Sequence, residues 1–120
     1  YPLDQIAPDT LTYETIEGDH DLFDDGTVRL FSTPGHTPGH QSLLVQLEET
    51  GPVLLSGDAC WTQWNLDEMT LPGIIWFPPA YVTSRKRLLE LQAETGARWF
   101  FTHDPHTFGE RGWVEGQTYR

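Results

Sequence analysis

The sequence has little of what would indicate secretion, membrane insertion or nucleic-acid binding. Cys60 is the only cysteine, so the chain forms no internal disulfide and its fold depends on packing or on a metal. Seven basic residues stand against 18 acidic ones, and the formal net charge of −11 disfavours nucleic acid and anionic membranes as partners. No apolar run approaches the ~20 residues that span a bilayer, and no basic-then-apolar leader opens the chain. We therefore expect a cytoplasmic protein that binds neither nucleic acid nor membrane.

The length fits one structural unit. A chain of 120 residues can bury roughly two thirds of its unfolded surface, and no repeat, low-complexity run or linker divides this one. We therefore treat residues 1–120 as a single segment. Because the chain begins at Tyr1 rather than at a methionine, we expect a truncated or excised piece of a longer protein.

Short apolar runs bounded by glycine, proline and acidic residues predict an α/β fold. The predicted strands cover residues 28–32, 41–47, 53–55 and 98–102, with a weaker one at 10–16. One helix is predicted from Thr83 or Ser84 to about Thr95, where Gly96 ends it. Residues 61–80 read as a long loop rich in large aromatic side chains. Those rings either form the wall of a pocket for an apolar substrate or cover the core.

The stretch that organises the chain is Thr-Pro-Gly-His-Thr-Pro-Gly-His at residues 33–40. Its prolines and glycines end the preceding strand and forbid a helix, which excludes a zinc-binding histidine pair on one helix face. His36 is therefore presented at a strand end, where loops on a rigid scaffold hold metal ligands or catalytic groups. A turn with two histidines facing water is the alternative.

Three apolar strands end in a polar side chain of the metal-ligand type: His36, Asp58 and His103. Strand ends of an α/β sheet converge at one rim, so we expect these side chains to lie together. Two imidazoles and a carboxylate suit zinc, iron or manganese better than magnesium or calcium. These three side chains could bind a single zinc together with a water, or the carboxylate could bridge two metals.

Three other polar groups have two interpretations each. His20, between Asp19 and Asp21, could touch a metal, although a solvated turn is favoured. The basic run at 85–87 could hold an anion at the start of the predicted helix, although a solvated face is favoured. His106 follows Pro105 with the spacing of a turn, so we expect it to lie outside the metal cluster.

Residues 33–40, 56–59 (Ser-Gly-Asp-Ala) and 101–104 (Phe-Thr-His-Asp) resemble, in order and spacing, the C-terminal half of metallo-β-lactamase-fold hydrolases. Residues 41–45 and 51–55 are similar to the N-acyl homoserine lactonase branch, which is associated with quorum quenching. The resemblance implies half of an αββα sandwich, with strands followed by one helix and a further strand.

The resemblance also implies roles for single residues. His36 would bind the first of two zinc ions, Asp58 would bridge both, and His103 would bind the second. His40 and Asp104 would lie in the outer shell and hold the ligands through hydrogen bonds. The implied reaction is attack of a metal-bridging hydroxide on the carbonyl of an ester or of a lactone such as an N-acyl homoserine lactone.

Two departures from the family pattern qualify that function. The His-x-His-x-Asp-His motif, which supplies the other ligands, does not occur in the sequence, so we expect residues 1–120 alone to be inactive. Trp61 stands where the lactonase branch tends to carry a tyrosine that donates to the substrate carbonyl. An indole N–H can also donate, so Trp61 joins Asp58 as a candidate catalytic residue. A thioesterase or glyoxalase-II-like hydrolase, or a non-catalytic half-domain that pairs with a partner chain, are the alternatives.

Overall fold

The computed structural model describes residues 14–105, which contain five strands and two helices. The strands are β1 (His20–Asp21), β2 (Val28–Ser32), β3 (Gln41–Leu47), β4 (Gly51–Leu55) and β5 (Arg98–Phe100). The helices are α1 (Gln63–Asp67) and α2 (Pro78–Thr95), and one turn of 3-10 helix covers Gly57–Ala59. The four main predicted strands are present, although β4 begins at Gly51 rather than Val53 and β5 ends at Phe100 rather than Thr102. Residues 14–16 of the weaker predicted strand are not strand, and its remainder lies outside the described residues.

The strands form one sheet in the order β1-β2-β3-β4-β5. Neighbours from β1 to β4 are antiparallel, whereas β5 lies parallel to β4. Strands β2, β4 and β5 therefore run in the same direction, and their carboxyl ends meet at one edge of the sheet. The predicted α/β fold is confirmed, with a mixed sheet and a helix layer.

The core lies between one face of this sheet and α2. Phe31, Leu44 and Leu54 are buried on neighbouring strands and pack in one cluster with Leu88 of α2. Because side chains alternate between faces along a strand, the register places Leu30, Leu43 and Leu55 side by side on the opposite face, where each is half-buried. The described helix α2 thus covers one face of the sheet, in agreement with the predicted half sandwich.

Helix α2 begins at Pro78, ahead of the predicted start at Thr83 or Ser84. Pro78 and Pro79 occupy its first turn, where a missing N–H costs nothing and the fixed φ suits a helix. The predicted end is confirmed, since Gly96 has φ +67° and its N–H donates to the Gln92 carbonyl. The predicted start was too late because residues up to 80 had been assigned to the aromatic loop.

The predicted loop at 61–80 also contains α1, so the expectation of an uninterrupted loop was wrong. Thr62 caps α1, since its hydroxyl accepts from the Asn65 N–H. The solvated turn favoured around His20 was wrong as well, because His20 pairs with Leu30 in the sheet. The neighbouring Asp19 accepts from the Ser32 N–H.

The basic run at 85–87 does not form the solvated face that the sequence favoured. Arg85 is only 1% exposed, and it donates to the carbonyls of Asn65 (3.1 Å), Thr70 (2.6 Å) and Met69 (3.0 Å). Arg87 forms an ion pair with Asp19. The run lies in the middle of α2, so the argument for an anion at a helix start does not apply. In the described part of the chain, no helix is long and apolar enough to cross a membrane.

Candidate metal centre

The three predicted ligand residues meet at the edge of the sheet where β2, β4 and β5 end. His36 Nε2 lies 3.6 Å from Asp58 Oδ2, and His103 Nε2 lies 2.8 Å from Asp58 Oδ1. Asp58 is therefore the common partner, with one imidazole on each of its oxygens. The predicted convergence is confirmed, whereas the metal-binding role of each residue stays a prediction.

His36 is held by the loop before α2. Its Nδ1 lies 3.0 Å from the Ile74 carbonyl oxygen, and because a carbonyl only accepts, Nδ1 carries the proton. The lone pair of a neutral His36 is then on Nε2, the atom that faces Asp58. The Trp76 N–H donates to the His36 carbonyl at 3.2 Å, so the backbone of the same loop fixes the residue a second time.

His40 holds the backbone of Asp58 rather than its side chain. The Asp58 N–H donates to His40 Nε2 at 2.9 Å, and the His40 Nδ1–H therefore faces Thr33, whose carbonyl oxygen lies 3.1 Å away. Burial lowers the pKa of His40, against the opposing charge of Asp58, in the direction that favours Nε2 as an acceptor. Gly57 is required beside it, because a Cβ there would lie 2.8 Å from His40 Nε2.

The segment after β5 is tied to the start of α1. The His103 N–H donates to the Trp61 carbonyl at 3.3 Å, and buried Asp104 accepts from the Gln63 N–H at 2.8 Å. The Trp61 ring packs 4.8 Å from the His103 ring and 6.3 Å from the His36 ring, centroid to centroid. Asp104 thus lies outside the group of predicted metal ligands. Its hydrogen bond to the Gln63 N–H ties the segment after β5, which contains His103, to the segment that contains Trp61.

Three of the four large aromatic side chains of residues 61–80 are exposed rather than buried in the core, and the fourth, Trp61, is half-buried. Trp64 is 63% exposed, Trp76 58% and Phe77 48%. Trp76 packs edge-on against Phe77 with ring centroids 5.7 Å apart, beside the backbone that binds His36. The interpretation that these rings cover the core was wrong, because none of them belongs to a core cluster.

The sequence analysis missed two features of the site, a chain of buried hydroxyl groups and the carbonyl that binds His36. Buried hydroxyls join the ends of three strands: Thr33 Oγ1 lies 2.9 Å from Ser42 Oγ, which donates to the Ser56 carbonyl at 2.9 Å. Ser42, a polar residue at the start of an apolar strand, was the only available signal. The Ile74 carbonyl had none, because a backbone acceptor does not depend on the residue type.

The donor types fit zinc, but the described residues do not enclose an ion. Two imidazole nitrogens and a carboxylate are a usual zinc set, and the bond from His36 Nδ1 to a carbonyl is the outer-shell contact common for metal-binding histidines. Within residues 14–105, however, no three His, Cys, Asp or Glu side chains are grouped to hold a metal ion. His106 lies outside the described residues.

Comparison with known proteins identifies relatives of one kind. The chain is 42% identical over 86 residues to the N-acyl homoserine lactonase AttM of Azorhizobium caulinodans. The matched region covers 72% of this chain and 33% of the relative. It is 42% identical over 95 residues to the lactonase AiiA of Bacillus thuringiensis subsp. kurstaki, covering 78% and 36%. The chain thus spans about a third of the length of these curated relatives. No protein-family profile matches it.

Solved structures agree with the sequence relatives. A quorum-quenching N-acyl homoserine lactone lactonase superimposes with a TM-score of 0.75 at 38% identity, over 83% of this chain and 40% of that one. AidC, a dizinc quorum-quenching lactonase, has a TM-score of 0.55 at 23% identity, over 68% and 28%, and supports the fold alone. Over most of its length the chain is therefore similar, in sequence and in fold, to a segment of the N-acyl homoserine lactonases.

Proposed function

We propose that this chain supplies part of the active site of a zinc-dependent hydrolase that opens the lactone ring of N-acyl homoserine lactones. The observation that carries the proposal is the placement of His36 and His103 on opposite oxygens of Asp58. That placement occurs at the edge where three parallel-running strands end, in a chain similar to enzymes of that name.

His36, Asp58 and His103 would hold two zinc ions together with donors from elsewhere in the full protein. Bound zinc would supply Lewis acidity toward the lactone carbonyl and an activated water. This chain's own part is to keep the donors ready. The Ile74 carbonyl fixes the His36 tautomer, and His40 fixes the backbone of Asp58.

The acyl chain of the substrate would lie against the exposed apolar loop before α2. Ile74 (69% exposed), Trp76 and Phe77 belong to the same loop that fixes His36 through the Ile74 carbonyl and the Trp76 N–H. Burying these side chains against an alkyl chain would contribute ~25 cal/mol for each Å² removed from water. A small, wholly polar ester would gain nothing from this surface.

We also propose a cytoplasmic protein with no nucleic-acid or membrane partner. The net charge of −11 supports the second point. The buried, unpaired thiol of Cys60 is compatible with a reducing compartment.

The test compares Asp58→Asn with Asp67→Asn in the protein that contains residues 1–120. Asp67 is an exposed carboxylate on α1, so its variant matches the charge change away from the site. We expect Asp58→Asn to lower kcat/KM for an N-acyl homoserine lactone about 100-fold or more and to weaken zinc binding, with Asp67→Asn close to wild type.

The substrate panel adds a thioester and an aryl ester with the same acyl chain. Equal activity of the two Asp variants would contradict the metal centre. A thioester turned over more than tenfold faster than the lactone would replace the lactonase with a thioesterase.

A further inference from the structure

The ring of Trp61 contacts both histidines of the candidate metal centre. Its centroid lies 4.8 Å from that of His103, with the planes tilted by 37°, and 6.3 Å from that of His36, with the planes at 63°. Both separations fall within the range of favourable aromatic packing. The two imidazoles lie beside different oxygens of Asp58, so this one ring packs against both histidines of the candidate metal centre.

The polar atom of Trp61 is not accessible from the surface of the site. Its Nε1 is buried, and within residues 14–105 it has no hydrogen-bond partner. A hydrogen bond to a substrate carbonyl needs a nitrogen-to-oxygen distance of about 3 Å, which a nitrogen covered by protein cannot offer. The tyrosine-like role of donor to the carbonyl is therefore not available to this indole in the conformation that the structure describes.

The backbone of Trp61 is attached to the segment that carries His103. The Trp61 carbonyl accepts from the His103 N–H. The next residue, Thr62, caps α1, and the N–H of Gln63 donates to Asp104. The position of the Trp61 backbone relative to His103 is therefore fixed at two points.

The two imidazoles differ in how much they depend on the Trp61 ring. His36 has a second anchor in the Ile74 carbonyl, and its side chain is 19% exposed. The His103 side chain is 51% exposed, and its described ring contacts are Asp58 and Trp61. Loss of the indole would therefore free His103 more than His36.

We infer that Trp61 is a positioning residue, whose ring holds the imidazoles of His103 and His36 toward Asp58, and that it does not donate a hydrogen bond to the substrate. The inference rests on the proposed function insofar as it treats the two imidazoles as metal ligands. It replaces the donor role carried over from the lactonase branch with a packing role that needs an aromatic ring and no N–H.

The test uses Trp61→Phe, which keeps a ring and removes the N–H, and Trp61→Leu, which removes both. Trp64→Leu is the matched control, because Trp64 is an exposed tryptophan of α1. The first measurement is the set of imidazole proton and nitrogen chemical shifts in the metal-free protein. Zinc affinity and kcat/KM for an N-acyl homoserine lactone follow.

We expect Trp61→Leu to shift the His103 resonances most and to weaken zinc binding by about 3- to 10-fold, the scale of one aromatic contact. Trp61→Phe should stay within about twofold of wild type in zinc affinity and in kcat/KM, and so should Trp64→Leu. Equal losses of kcat/KM in Trp61→Phe and Trp61→Leu would overturn the inference in favour of the donor role. Unchanged His103 resonances in Trp61→Leu would overturn it as well.

The two proposals fail separately. If wild type binds no zinc, the proposed function fails, while the imidazole resonances of the metal-free protein still test the packing role. If Trp61→Leu does not fold, an interproton contact between the Trp61 and His103 rings in wild type, together with near-wild-type values for Trp61→Phe, would support the inference. Absence of that contact would refute it.

Discussion

Adding one methyl group at Gly35 should detach the loop at 33–40 from helix α2. The Cβ of an alanine would collide with the Tyr81 Cα and lie 2.5 Å from its backbone nitrogen. Because these are backbone atoms in the first turns of a helix, no change of side-chain rotamer relieves the overlap. Gly35 also has φ +145°, a conformation that residues with a Cβ rarely adopt.

The cost has two parts. Strain from the unfavourable φ contributes about 1–3 kcal/mol, and the displacement of backbone needed to remove the overlap contributes another ~1–3 kcal/mol. The displacement would also lengthen the bonds from Ser84 Oγ to the Pro34 carbonyl (2.7 Å) and from the Phe77 N–H to the Gly35 carbonyl (3.0 Å). We expect a total loss of about 2–6 kcal/mol in the free energy of unfolding, a large share of the ~5–15 kcal/mol typical of a domain.

Gly39→Ala is the matched control within the same motif. An added Cβ at Gly39 has nothing within 4 Å, so its effect should stay within about 1 kcal/mol of wild type. Urea unfolding followed by tryptophan fluorescence, on the same purified protein with each change, measures both values. Unfolding midpoints of Gly35→Ala and Gly39→Ala that agree within error would refute the argument from close approach.

Three further predictions concern the buried charge of Arg85, the pH dependence of stability from His40, and the activity of residues 1–120 alone. Arg85→Met should cost about 3–5 kcal/mol of stability, because it removes the donor to three carbonyls, one in α1 and two in the turn that follows it; a change below about 1 kcal/mol in urea unfolding would contradict it. Burial lowers the pKa of His40 below 6.5 in the folded state, so the unfolded state binds the proton first. Its contribution to stability is therefore complete above about pH 6.5 and lost as the pH falls below it, and His40→Gln should flatten this dependence in unfolding experiments between pH 5 and about 8. Residues 1–120 alone, with added zinc, should hydrolyse an N-acyl homoserine lactone more than tenfold more slowly than the protein that contains them, as initial rates will show; equal rates would contradict the need for outside ligands.

The sequence predicted the site better than the elements around it. His36 and Asp58 each follow an apolar run and a glycine, and His103 follows an apolar run that Pro105 ends two residues later, so this signal is local. The three residues meet because β3 returns between β2 and β4, which leaves the carboxyl ends of β2, β4 and β5 at one edge of the sheet. His36, Asp58 and His103 were therefore brought together correctly from the sequence.

The parts that sequence reasoning missed depend on contacts between distant segments. Arg85 reads as a surface residue because its charge normally requires water or a carboxylate. Its burial depends on one carbonyl of α1 and two carbonyls of the turn that follows, which reverses at Met69, a residue with φ +52°. The Ile74 carbonyl that fixes His36 is likewise set by the path of the backbone, on which side-chain identity has no direct effect.

The buried hydroxyls at the strand ends give the hydrogen bonds around Asp58 a single direction. The Ser42 hydroxyl donates its single proton to the Ser56 carbonyl. The Thr33 hydroxyl must therefore donate to Ser42 Oγ, and it can only accept from His40 Nδ1–H. His40 Nε2 in turn accepts from the Asp58 N–H. Dipoles aligned head to tail polarise one another, and the row returns to Ser56, two residues before Asp58. The direction of every hydrogen bond in the row is thereby fixed. Replacing Thr33 by the isosteric valine would interrupt the row in the middle. His40 Nδ1–H would then keep only the backbone carbonyl of residue 33, and the Ser42 oxygen would lose its donor.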